Sequence, residues 1–309
     1  MTSMANGAGP YSFRKLTVVE SFSRLVAIYL DSAYTRLFIK LACLMVIPCT
    51  FIGMIIINYV LAGVAAEDDN ITDPVSWKNW AAILLIAVSK IFFHNCAAIL
   101  SDAAIVYTVA ELYMGNTRPA WTTSLNVALR NVHQLFLVGF IIFVGIVVGY
   151  ACLGVGGIYV AVVSSLVTPV IMVEGKTAVE ALQRSVQLTQ GFRWHIVTCL
   201  AIIFILNYLV SHLLNMLFSG GTLGMWFSVY GSLVNMLPAS IFVPAVAILK
   251  TVIYLSIRGE KEGLDADGLA SEMGHRSLLS PSEIFEYQEL SMADGTPMPG
   301  DESEQAGPL

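Results

Sequence analysis

The stretch Leu135–Gly154, LFLVGFIIFVGIVVGYACLG, runs for twenty residues without a charged side chain. A hydrocarbon layer about 30 Å thick is crossed by about 20 helical residues at about 1.5 Å each, and a helix satisfies its own backbone N–H and C=O groups where no water reaches. The stretch therefore reads as a membrane-spanning helix. Working outward, Leu41–Val64, Trp80–Leu112, Gly156–Val173, His195–Phe218 and Met225–Ile257 have the same character. Composition agrees: 56% of residues are hydrophobic and only 12% charged, far from a soluble domain. The expected fold is all-α, a polytopic membrane helix bundle of six transmembrane helices with cytoplasmic interfacial helices and a disordered C-terminal tail.

The formal charge of -6 hides an asymmetry. Of sixteen Lys and Arg residues, all but Lys78 and Lys90 fall on one predicted side of the six spans. Arg14, Lys15, Arg24, Arg36 and Lys40 precede the first span, Arg118 and Arg130 follow the second, and Lys176, Arg184 and Arg193 follow the fourth. Lys250, Arg258, Lys261 and Arg276 belong to the end of the sixth. The positive-inside rule places both termini in the cytoplasm, in an endomembrane or the plasma membrane. Trp77, Trp80 and Trp226 then fall at the outer interface, Trp121 and Trp194 at the inner one. No cleavable signal peptide precedes the first apolar run, so the first span is expected to act as the targeting signal. All five cysteines lie within predicted spans, leaving no disulfide framework or CxxC metal site in the loops.

Gly115-Asn116-Thr117 and Gly175-Lys176-Thr177 each open a polar–apolar stretch leading into the next span. In the second, Thr177 and Glu180 have the spacing of a capping box, in which hydroxyl and carboxylate each accept from an orphan N–H, and Gly191 supplies the stop. Val179, Leu182, Val186 and Thr189 are expected on one face of a short helix lying on the inner membrane surface. Thr17 and Glu20 repeat the box before the first span, with Phe22, Leu25, Val26 and Leu30 expected on one face. The chain parses into three units, each an interfacial helix followed by a transmembrane hairpin. Domain boundaries follow: 1–36 with an amphipathic interfacial helix, 37–258 as the six-helix domain, and 259–309 as a disordered acidic tail.

Lys90 and His94 lie one turn apart near the middle of the second span, where a charge is costly and points to function if it faces a bundle interior. A register shift that lets Lys90 snorkel to the surface is the alternative. Asp102 and Glu111 fall about 33 and 46 Å from Trp80 along that helix, at or beyond the inner interface, and are expected to be solvated. Asn95, Asn207, His212, Asn215 and Asn235 read as interhelical glue. Pro169, Pro238 and Pro244 are kink candidates, and Gly145 with Gly149 forms a GxxxG packing signal. Asn70-Ile71-Thr72 is a glycosylation sequon in an outer loop. In the tail, Ser280-Pro281-Ser282-Glu283 begins a short helical pattern, and Tyr287 with Leu290 fits the Tyr-x-x-apolar pattern read by vesicle-coat adaptors.

The acidic loop Glu67, Asp68, Asp69 and Asp73 has no histidine beside it and reads as solvated. No nucleophile elbow, HExxH, phosphate loop or nucleotide fingerprint occurs. The reading is a non-enzymatic chain with no cofactor and no nucleic-acid partner, whose partners are membrane lipids and a cytoplasmic adaptor bound by the tail. A membrane scaffold, trafficking or membrane-organising role fits best; the alternative is a transporter of small solutes or lipids with its polar site on the second helix.

Val167-Thr168-Pro169-Val170-Ile171-Met172-Val173-Glu174-Gly175, followed by Ala181-Leu182-Gln183-Arg184-Ser185 and Gly191-Phe192-Arg193-Trp194, resembles a signature in the membrane domain attached to some bacterial glycerophosphodiester phosphodiesterases. Ala104-Ile105-Val106-Tyr107-Thr108-Val109-Ala110-Glu111-Leu112-Tyr113 is similar to uncharacterised six-span membrane proteins of plants and algae. The resemblance implies architecture and no activity, since a phosphodiesterase domain has no counterpart here. In the interfacial motif, Arg184 is expected to meet lipid phosphate, and Glu174 to accept from amides at the next helix's start or to pair with Arg184.

Overall fold

The structure, a computed structural model, describes residues 13–32, 34–44, 47–48, 51–52, 55, 98–116, 119–151, 155–218 and 226–278. All regular structure among them is helical: α1 (Val18–Leu30), helical residues 34–44 (α2) and 98–113 (α3), α4 (Trp121–Arg130), α5 (Val132–Ala151), α6 (Val155–Val163) and α7 (Val167–Pro169). A π-helical turn, Val170–Glu174, leads to α8 (Ala178–Thr189), α9 (Arg193–Phe218), α10 (Trp226–Glu262) and α11 (Ala266–Leu278).

Four helical stretches are long and apolar enough to cross a membrane: Val132–Gly149, Gly156–Glu174, Arg193–Leu214 and Ser240–Glu262. They match the last four expected spans. The first two, Leu41–Val64 and Trp80–Leu112, lie mostly outside the described residues. Burial separates the four into two kinds: 67% of the residues are buried in Gly156–Glu174 and in Ser240–Glu262, against 11% in Val132–Gly149 and 22% in Arg193–Leu214. The first pair and α3 form the protein core, through residues such as Ile105, Val170, Ile248 and Ile253. α5 and α9 instead expose Phe140, Val148, Phe204, Tyr208 and Leu213. An apolar surface of this extent is stable where lipid tails replace water.

α5 packs on α6 and α9 on α10, as sequential hairpins. The GxxxG glycine Gly149 closes the first of these, because a Cβ there would sit 2.6 Å from the Gly156 carbonyl carbon and the Gly157 nitrogen. Pro169 lacks an N–H, and the chain after it widens into the π turn, in which the Gly175 N–H donates to the Val170 carbonyl at 3.2 Å. Gly175, at φ 74°, then turns the chain into α8. α10 stays helical through both Pro238 and Pro244.

The three short helices expected before the hairpins are present as α1, α4 and α8, and both capping boxes form. Their protein-facing residues coincide only in part with the expected apolar faces, at Leu25 of α1 and Thr189 of α8. α1 crosses α10 and α9 with Ser21, Leu25 and Ile28 inward, leaving Val26 and Leu30 exposed. α8 buries Ala178, Ala181, Ser185 and Leu188 while Val179 is exposed. Small residues let backbones approach closely, and bulky apolar ones are free to face lipid.

The tail boundary also needs correction. α10 continues past Ile257 to Glu262, and residues 266–278, expected as part of a disordered tail, form α11. Falling hydropathy does not end a helix. The break comes at Gly263, with φ 66°, after which Asp265 accepts from the Gly268 N–H at 2.8 Å and starts α11.

Candidate functional site

Lys250, Tyr254, Arg258 and Glu262 follow one another at intervals of four along α10, so they form a polar stripe along one side of the helix. Each engages a different part of the chain. Glu174 ends the π turn beside the stripe: Tyr254 Oη donates to its Oε1 at 2.9 Å, and Arg258 Nε lies 3.8 Å from the same oxygen. Arg184 Nε, from α8, donates to Glu174 Oε2 at 3.0 Å, while its terminal nitrogen pairs with Glu262. Arg258 donates from Nε to Glu262 at 2.7 Å and grips Glu272 of α11 with two bonds of 2.7 and 2.8 Å.

Glu174 and Arg258 are almost fully enclosed, at 6% and 7% side-chain exposure. Buried charges need partners of opposite sign and full hydrogen bonding, and here each has several. Burial alone works against the Arg184 charge, but the Glu174 and Glu262 carboxylates beside it raise its pKa above the ordinary guanidinium value. Two guanidiniums thus face three carboxylates in one network.

The other face of the same helix end holds the N-terminal segment. Ser256 Oγ accepts from the Leu16 N–H at 3.2 Å and donates to the Arg14 carbonyl at 2.7 Å. Lys15 pairs with Glu260 at 3.1 Å, and a Cβ at Gly259 would run into the Phe13 carbonyl oxygen. Lys261 reaches α8, donating to the Gln187 and Gln190 carbonyls at 2.9 and 2.8 Å. The last turns of α10 therefore gather the N-terminal segment, α8 and α11 at one end of the bundle.

Three turns deeper on the stripe, Lys250 Nζ donates to Asp102 Oδ2 of α3 at 3.2 Å. Asp102, expected to be solvated, is buried at 8% exposure, because α3 packs inside the core opposite α10. Glu111 likewise has one carboxylate oxygen buried.

The interfacial motif splits by role. Glu174 pairs with Arg184, one of the two roles expected of it, and the Arg184 guanidinium expected to meet lipid phosphate is engaged by the Glu174 and Glu262 carboxylates. Ser185 Oγ donates to the Val163 carbonyl at 2.6 Å, fastening α8 under α6. Gly175 and Gly191 take the left-handed conformation, Thr177 and Glu180 form the cap, and Trp194 is 83% exposed at the start of α9. Lys90, His94, Asn70, Tyr287 and Leu290 lie outside the described residues. Tyr254, Glu262 and Glu272 went unassigned from sequence, although the four-residue spacing of polar side chains in α10 is a signal for the first two. No protein-family model matches the chain, and no curated protein or solved structure does so either.

Proposed function

We propose that the chain is a multi-pass membrane protein that acts without catalysis as a scaffold, anchoring the root of its C-terminal tail at the cytoplasmic face and offering that tail to adaptor proteins. The observation that carries this reading is the Arg258–Glu272 pair, which ties α11 to the membrane-domain core just before residues 279–309 begin. Six spans, cytoplasmic termini and residence in an endomembrane or the plasma membrane belong to the same proposal, as does kinship with the plant and algal six-span proteins. The gathering of Lys15, Arg184, Arg258 and Lys261 at one end of α10 supports the orientation. Tyr287→Ala with Leu290→Ala, or deletion of 279–309, should redistribute the protein among membranes; unchanged localisation would contradict the adaptor role.

A second reading, transport, is favoured by the Asp102–Lys250 pair, since ionisable residues inside a span commonly line substrate or ion pathways. Reconstituted protein would then show solute or lipid flux that Asp102→Asn abolishes while the fold persists. Flux indifferent to that substitution would remove the site.

A further inference from the structure

α11 is a weak helix attached at few points. It contains Gly268 and Gly274 within thirteen residues, and among its described side chains only Leu269 and Met273 are buried. Among its described side chains Glu272 holds the bundle by charge, filling the fork of Arg258 with both carboxylate oxygens. A guanidinium fork accepts a phosphate in the same bidentate manner as a carboxylate. The site also stands where phosphates would be, because the spans Gly156–Glu174 and Ser240–Glu262 both end at the network. A phosphodiester carries one negative charge, like the carboxylate, so replacing Glu272 leaves the summed charge around Arg184 and Arg258 unchanged.

We propose that α11 is a releasable strap over an anion site centred on Arg258, and that the headgroup phosphate of an anionic lipid competes with Glu272 for it. Binding of lipid lifts α11 and lengthens the free tail by the strap's own residues. This rests on the membrane reading above. Arg184 stays paired with Glu174 and Glu262 in both states, so the fold of the α8–α10 corner does not depend on the exchange.

The test is backbone hydrogen exchange of residues 266–278 in the full chain, in nanodiscs of phosphatidylcholine alone or mixed with phosphatidylglycerol, an anionic phosphodiester. Loss of a bidentate charged pair predicts roughly tenfold faster exchange with the anionic lipid. Glu272→Gln should exchange fast in both lipids, and Leu269→Ala with Met273→Ala provides the rate of the released strap. Equal exchange in the two lipids, or a Glu272→Gln protein no faster than the parent, would overturn the proposal. Acceleration by inorganic phosphate in neutral nanodiscs, with none from phosphatidylglycerol, would overturn the lipid assignment. Release of the chain from bilayers by alkaline carbonate would instead remove the membrane reading, and the exchange with it.

Discussion

Glu174 divides its carboxylate between two helices, one oxygen taking the Arg184 Nε at 3.0 Å and the other the Tyr254 hydroxyl at 2.9 Å. Its position follows from the π turn after Pro169 and from Gly175, which together end the preceding span with the side chain facing α10. Removing it takes away the partner of the Arg184 Nε and leaves two guanidiniums sharing Glu262 and Glu272. Glu174→Ala should cost about 3–5 kcal/mol, the usual consequence of deleting one partner of a buried ion pair. Tyr254→Phe removes the donation to Glu174 and the bond that the hydroxyl accepts from Arg258 at 3.2 Å, and should cost about 1.5–3 kcal/mol. Thermal unfolding in detergent micelles measures both, and equal losses would show that the charge carries no special weight.

Gly259 is where the N-terminal segment crosses α10, and a methyl group there meets Phe13 backbone, which cannot swing aside as a flexible side chain would. Gly259→Ala should release residues 13–17 and cost about 1–3 kcal/mol. Tryptic cleavage after Arg14 and Lys15 should then run faster than in the parent. An unchanged rate would mean that the crossing is not close.

The Glu20 carboxyl is held below the usual carboxylate range, first by the Thr17 backbone N–H and then by the Thr17 hydroxyl, with Arg14 adding to it. A depressed folded-state pKa stabilises above the unfolded value and is lost as pH falls through the folded one. Docking of α1 should therefore weaken only below about pH 4.3, the ordinary glutamate value. Thr17→Ala removes the cap at about 1 kcal/mol and should lessen that acid dependence, because the hydroxyl is lost while the backbone N–H of residue 17 still donates to Glu20. Hydrogen exchange of residues 18–30 against pH reads it directly.

Asp102 and Lys250 join α3 to α10 within the apolar core. Lys250→Met leaves a buried carboxylate alone and should cost about 3–5 kcal/mol, whereas Lys250→Met with Asp102→Leu should recover most of that loss. Unfolding midpoints of the two singles and the double give the coupling. Additive losses would place the two groups out of contact.

Local features were the legible ones. The capping boxes at Thr17 and Thr177 each need only residues three apart, and the spans need only a run of apolar side chains. The apolar faces expected of α1 and α8 do not by themselves say which side meets protein, because bulky Val26, Leu30 and Val179 share those faces with the buried Leu25 and Thr189. In a bundle that meets lipid, the protein side of a helix favours close-packing small residues, here Ser21, Ala181 and Ser185. The network was hidden for another reason. Glu174 and Tyr254 are eighty residues apart, and Arg258 and Lys250 read simply as the cationic flank of a span. α11 was missed because its glycines and acidic residues resemble a solvated tail until Leu269, Glu272 and Met273 find their partners.

In the proposed arrangement the N-terminal segment, α8 and α11 meet at one end of α10, on one side of a membrane. Single cysteines placed at Arg14, Gln183 and Ser271 in a cysteine-free background, treated with a membrane-impermeant thiol reagent in sealed vesicles of known orientation, test it most directly. All three should label from the cytoplasmic side and resist labelling from the other. Labelling of Gln183→Cys and Ser271→Cys from opposite sides would contradict it.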